Sequence, residues 1–146
     1  MQRLLIIILL LLGVLAAVTW FGFSRALQSN EGTQSGQITA STMRVDFGDI
    51  EPLGDPVATT IEVTNSGEGV LVIYRISTSC GCTTASMDSS ALEPGKSRPL
   101  KIAFDPQVHP DEYGPITRVV YIQSSDPDQP ELEIDVVGTV LQDTNL

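Results

Sequence analysis

The residues best equipped for chemistry are Cys80 and Cys82, the only two cysteines in this 146-residue chain, set one glycine apart in Thr78-Ser79-Cys80-Gly81-Cys82-Thr83-Thr84. The spacing is Cys-x-Cys, not the Cys-x-x-Cys of thioredoxin-like sites and zinc ribbons. In extended backbone, period two puts both side chains on one side, and Gly81 allows a further bend. A disulfide needs Cα atoms within roughly 4.4–6.8 Å, which a turned Cys-Gly-Cys meets with some strain. Closing so small a ring removes only about 1.6 kcal/mol of chain entropy from the unfolded state. Stapling is therefore a weak reason for the pair. An exchangeable bridge is one alternative. A thiolate pair holding Cu(I) is another, with Met87 five residues on as a third soft ligand. A passive bridge, or two thiols packed at the end of a domain, asks for neither. No helix start and no Lys/Arg/His cluster stands near Cys80 in the sequence to favour its thiolate, which argues against a strong redox enzyme.

Other positions offer less. His109 is the only histidine and lies in the loop-like Val108-His109-Pro110-Asp111-Glu112-Tyr113-Gly114-Pro115, where a lone histidine is ordinarily solvated. Asp126-Pro127-Asp128 with Asp111-Glu112 offers carboxylates, but without the spacing and glycine of a calcium loop it reads as turn chemistry. There is no Gly-x-Ser-x-Gly, no zinc-type histidine pair and no phosphate loop. The chain reads as a binding or scaffold module rather than an enzyme, with the Cys-Gly-Cys thiol site as the alternative.

Short strands must carry these residues. Met43–Phe47, Val57–Val63, Val70–Ile76, Pro99–Phe104, Ile116–Ile122 and Leu132–Val140 are rich in β-branched residues and end at Gly, Pro, Asn or Asp clusters. Leu132, Ile134 and Val136 alternate with Glu131, Glu133 and Asp135, the signature of one buried and one wet face. Between Val70 and Ile76 the phase breaks, and a bulge near Tyr74-Arg75 would restore it. The expected fold over 43–140 is all-β, an immunoglobulin-like antiparallel β-sandwich of about seven strands.

The N-terminus differs. Leu4–Phe23 holds no charged residue and is about 20 residues long, enough to span a bilayer as a helix. Trp20 near its outer end, with Arg3 and Arg25 as flanks, suits a retained anchor over 1–26. Ser24-Arg25-Ala26 would serve the rival reading, a cleaved signal peptide. Both export the remainder of the chain, so the expected setting is the bacterial cytoplasmic membrane with the domain on the periplasmic or extracellular side. Residues 27–42, rich in Ser, Thr, Gln and Gly, read as a flexible tether, and 141–146 as a tail. The formal net charge is −10. With Arg3 and Arg25 set aside, six basic residues remain against all 18 acidic ones, a net −12 that repels nucleic acid and anionic lipid heads. The expected partners are the membrane, through Leu4–Phe23, and another exported protein.

The order of the pieces is distinctive. Val45-Asp46-Phe47-Gly48-Asp49-Ile50, Ile61-Glu62-Val63-Thr64-Asn65-Ser66-Gly67, Leu92-Glu93-Pro94-Gly95, Ile102-Ala103-Phe104-Asp105-Pro106, and Ser124-Ser125-Asp126-Pro127-Asp128-Gln129-Pro130 with Val137-Gly138-Thr139 resemble the strands and turns of Hydin-type (ASH-like) immunoglobulin-like domains. With Thr78-Ser79-Cys80-Gly81-Cys82-Thr83 in the middle, the chain resembles the bacterial exported family called domain of unknown function 1573, from about Met43 to Val140. The resemblance implies the sandwich and an exported, often anchored, setting. It implies no reaction.

Overall fold

Eight strands and one short 3-10 turn make up the part of the chain that the computed structural model describes, residues 34–142. They are β1 (Ile38–Ala40), β2 (Arg44–Ile50), β3 (Val57–Asn65), β4 (Ile73–Thr78), β5 (Thr83–Ser86), β6 (Ser97–Phe104), β7 (Gly114–Ser124) and β8 (Glu131–Val140), with the turn at Pro106–Val108. The anchor over 1–26, tether residues 27–33 and tail residues 143–146 lie outside the described residues. Among the described residues no helix is long and apolar enough to cross a membrane.

The strands form two four-stranded sheets, ordered β1-β3-β6-β5 and β2-β8-β7-β4. Alternation drives their packing. In β8, Leu132, Ile134 and Val136 are buried and the acidic residues between them exposed. In β6, Leu100, Ile102 and Phe104 point inward in the same way. Facing rows of the two sheets make one main core, in which Val63, Leu71, Leu100, Ile102, Val120, Ile122, Ile134 and Val136 are fully enclosed. A second, smaller cluster closes one end of the sandwich with Ile50, Cys82, Phe104, Ile116 and Val140, and Cys80 packs against it.

The structure departs from the sequence-based expectation in four places. The sandwich has eight strands, because β5 is a short run of Thr, Ala and Ser without a strong strand signal. It is not wholly antiparallel, since β2 pairs with β8 in parallel. The domain begins earlier than residue 43. Ile38–Ala40, placed in the tether by composition, pairs with β3 and buries Ile38. Two side chains hold it there. Ile38 N–H donates to Asp126 Oδ2 at 2.8 Å, and Gln37 N–H donates to the buried Asn65 Oδ1 at 3.1 Å. The fourth concerns Met87 and is described with the site. The expected bulge is present, as the register of β4 on β7 slips between Ile73 and Arg75.

Candidate functional site

Cys80 and Cys82 lie where the chain changes sheets. β4 belongs to one sheet and β5 to the other, so residues 79–82 must cross the end of the sandwich. Neighbouring strands brace that crossing. Ser79 N–H donates to Val119 O at 2.9 Å, and Val119 N–H returns a bond to Ser79 Oγ at 2.9 Å. Asp105 N–H donates to Cys82 O at 2.8 Å. Thr78 Oγ1 reaches both Cys80 O, at 3.0 Å, and Thr83 O, at 2.9 Å, which closes the loop on itself.

The two cysteines are joined by a disulfide, with Cα atoms 5.2 Å apart. Gly81 is exposed, has no positive φ, and has open space where a Cβ would stand. The turn therefore does not need glycine for its backbone, contrary to the role its flexibility suggested. The two sulfurs differ. Cys82 is only 1% exposed, packed in the smaller apolar cluster, whereas Cys80 is half-buried.

Two cationic or ionisable side chains meet the bridge, one at each sulfur. Arg118 Nε–H donates to Cys82 Sγ at 3.2 Å. His109 Nε2 stands 3.4 Å from Cys80 Sγ. A bridged sulfur carries no proton, so in this second contact Nε2–H is the donor and the sulfur accepts. Arg118 occupies the inward row of β7, in phase with Ile116, Val120 and Ile122, and its side chain is only 16% exposed. A guanidinium there must be paired. Glu112 supplies the counter-charge through both carboxylate oxygens, and the third nitrogen donates to Thr117 O at 2.9 Å. His109, Asp111, Glu112 and Arg118 line an open cleft of about 410 Å³ beside the bridge.

Sequence reasoning set His109 aside as an ordinary loop residue, and found no cation near Cys80. The fold supplies both groups, His109 from the β6–β7 connection and Arg118 from the middle of a strand. Arg118 did leave a signal, since it interrupts the apolar alternation of Ile116, Val120 and Ile122. His109 left none. Met87 does not join the sulfurs. It packs against the main core, while Cys80 and Cys82 belong to the smaller cluster, and five extended residues carry it about 16 Å along the chain. The third ligand-type atom beside the sulfurs belongs to His109. Sγ of Cys80, Sγ of Cys82 and an imidazole nitrogen all lie within 4.8 Å of one another. Two thiolates and an imidazole are a donor set that Cu(I) accepts, but only once the bridge is reduced.

The carboxylates weighed for calcium are separated, and Glu112 and Asp126 are engaged elsewhere. Asp111 and Glu112 precede β7 and Asp126 follows it, so the length of that strand, about 33 Å, lies between them. Asp126 is 4% exposed and accepts from the backbone N–H groups of Ile38, Asp128 and Gln129. Its burial alone would raise the carboxyl pKa. The three N–H donors outweigh that and hold it below the ordinary value.

Comparison with known proteins places this geometry among others. The family described as "Protein of unknown function (DUF1573)" matches residues 38–140, starting at the first residue of β1. A protein of unknown function from Porphyromonas gingivalis W83 is similar in structure, with a TM-score of 0.66 and 29% identity over 76% of this chain and 50% of that one. The chain thus spans half the length of that relative. The ASH/PapD-like domain 7 of human CEP192 is similar at a TM-score of 0.58 and 14% identity, over 79% of this chain and 92% of that one. The YadV chaperone is similar at 0.51 and 13%, over 70% and 51%. At these last identities the likeness is one of fold alone. No protein of curated description matches the chain.

Proposed function

The chain belongs to the DUF1573 family, and from that premise we propose that it is an exported, membrane-anchored protein-interaction module that meets its partner with the end of the sandwich where the Cys80–Cys82 bridge lies. The observation that carries this is the composition of that end. Val108 and Tyr113 are exposed apolar residues on the connection that also bears His109 and Glu112. Leu53, 68% exposed, is on the β2–β3 loop, which Gln107 Nε2 ties to the same connection through Gly54 O at 2.9 Å. Exposed apolar residues beside a cleft lined by Arg118, Glu112, Asp111 and His109 are the mixture used by protein-binding surfaces, with apolar contacts inside a polar rim. The outward row of β8, by contrast, is acidic, with Glu131, Glu133 and Asp135. The fold also suits a binding role, because its Ig-like and PapD-like neighbours include one named as a chaperone.

Anchoring is part of the proposal and rests on Leu4–Phe23, an uncharged run long enough to span a bilayer. The test is photocrosslinking of the full chain in a bacterial membrane, with a photoreactive residue at Val108 or Tyr113, and at Glu133 as control. Crosslinks to a discrete partner from the first two positions and not from the third support the proposal. Equal crosslinking from all three, or recovery of the chain in soluble fractions with the first 26 residues intact, would overturn it.

A further inference from the structure

We propose that the Cys80–Cys82 bridge is a thiol–disulfide exchange site with fixed roles, Cys80 being the sulfur attacked and Cys82 the leaving sulfur. This names the chemistry of the partner, a dithiol on an exported protein, and so rests on the interaction reading above.

Access assigns the first role. Cys82 Sγ is enclosed by Phe104, Ile116 and Val140, so an incoming sulfur cannot reach it. Cys80 is half-buried and borders open space at Gly81. The absence of a side chain there leaves room for a partner's backbone, a use for glycine that the turn itself does not have. Charge assigns the second role. Exchange is faster when the departing thiolate is stabilised, and Arg118 Nε–H already points at Cys82 Sγ from 3.2 Å. Arg118 shares the inward row of a core strand with apolar residues, a costly place for a cation, and Glu112 holds it in register. Of the charged or ionisable groups lining the cleft, Arg118 from β7 and His109 from the β6–β7 connection contact the bridge, with Asp111 and Glu112 of that connection beside them.

The step balances. A partner thiolate attacks Cys80 Sγ, the Cys80–Cys82 bond breaks, and its electron pair leaves on Cys82 Sγ beside Arg118. The product is a mixed disulfide between the partner and Cys80. The partner's second thiolate then attacks its own bridged sulfur and expels Cys80 Sγ, and the Cys80 and Cys82 thiolates each take up one proton from solvent, matching the two that the partner's thiols released on ionising. The partner dithiol is oxidised to a disulfide, and Cys80 and Cys82 end as two thiols, with two electrons and two protons transferred. The reverse sequence oxidises this chain and reduces the partner.

The test uses the full chain with dithiothreitol as the dithiol probe. The bridge should be reduced without denaturant and should re-form with oxidised dithiothreitol. Arg118→Met should slow reduction about tenfold and move the thiolate ultraviolet titration of the reduced chain to higher pH. Glu112→Gln, which frees Arg118 from its counter-ion, should shift both in the opposite direction. With glutathione disulfide in place of dithiothreitol, Cys82→Ser should form a mixed disulfide through Cys80 and accumulate it, because no Cys82 thiol remains to resolve it. A bridge inert to dithiothreitol in the folded chain, or rates and titrations unmoved by both Arg118→Met and Glu112→Gln, would overturn the proposal. So would a reduced chain that binds one Cu(I) and no longer re-forms its bridge. With the photoreactive residue placed at Leu53, which lies on the same surface, Val108→Asp with Tyr113→Asp separates the two readings. It should abolish partner crosslinking while leaving the dithiothreitol rate unchanged, and inert chemistry with intact crosslinking would defeat the exchange site alone.

Discussion

Arg118 Nε lies 3.2 Å from Cys82 Sγ although 36 residues separate the two in sequence. One is an inward position of β7 and the other the last residue of the crossing between β4 and β5. Their meeting turns a pair of cysteines with no neighbouring charge in sequence into a bridge with one accessible sulfur and one charge-stabilised sulfur.

The Arg118 cation is held for its contacts rather than for stability. A paired charge at an inward position gains little over an apolar side chain of similar length. Replacing the whole pair, Arg118→Met with Glu112→Leu, should therefore change the unfolding free energy by no more than about 1 kcal/mol in either direction, whereas Arg118→Met alone also leaves Glu112 without its counter-charge. Urea denaturation at neutral pH measures it. A loss of more than about 3 kcal/mol from the paired replacement would make the pair structural.

The bridge should contribute little to folding. Its ring spans only Cys80 to Cys82, for which chain entropy predicts about 1.6 kcal/mol. Replacing both cysteines by alanine also trims buried sulfur, so the double variant should lose about 2–3 kcal/mol and keep its β-sheet circular dichroism. An unfolded double variant would show that the bridge staples the sandwich.

Asp126 makes stability depend on acid. Burial is the largest single influence on its carboxyl and raises the pKa, but the N–H donors of Ile38, Asp128 and Gln129 together overcome it and leave the folded value below the ordinary 3.8. The unfolded chain then binds more protons in that range, so stability rises with pH. The contribution is fully present above about pH 5 and is lost as pH falls below 3.8 through the depressed value. Asp126→Asn keeps one acceptor but loses the charge, and should cost about 1–3 kcal/mol at pH 7 and progressively less in acid. Chemical denaturation across that pH range gives the comparison. A cost that does not shrink in acid would place the stabilisation elsewhere.

Two glycines should respond in opposite ways to alanine. A Cβ on Gly67 would stand 2.4 Å from Ser35 O and 2.5 Å from Gln37 N, backbone atoms of the segment leading into β1. A Cβ on Gly81 would meet nothing within 4 Å. Thermal melts should show Gly67→Ala losing about 2 kcal/mol or more and Gly81→Ala staying within about 0.5 kcal/mol of the parent. A strongly destabilised Gly81→Ala would mean that the crossing needs glycine for its own geometry.

Much of this architecture is legible in order along the chain. Leu132, Ile134 and Val136 declare the buried face of β8 because side chains in a strand alternate with a period of two, whatever the surroundings. The phase break around Tyr74 declares a bulge by the same rule. Asn65-Ser66-Gly67 and Pro94-Gly95 mark turns through their own backbone preferences. The Cys-Gly-Cys spacing, likewise local, admits a bridge on sequence grounds alone. Partners distant in sequence are another matter. Ile38–Ala40 carries the composition of a tether and becomes strand by pairing with β3, with Asp126 and Asn65 supplying acceptors to Ile38 and Gln37 from 88 and 28 residues away. The pairing of β2 with β8 joins strands far apart in the chain, and no local pattern encodes that it runs parallel. The candidate site depended on the same kind of meeting. Sequence set the two sulfurs side by side, but only the packing of two sheets decided that His109 and Arg118 would stand against them and that Met87 would not.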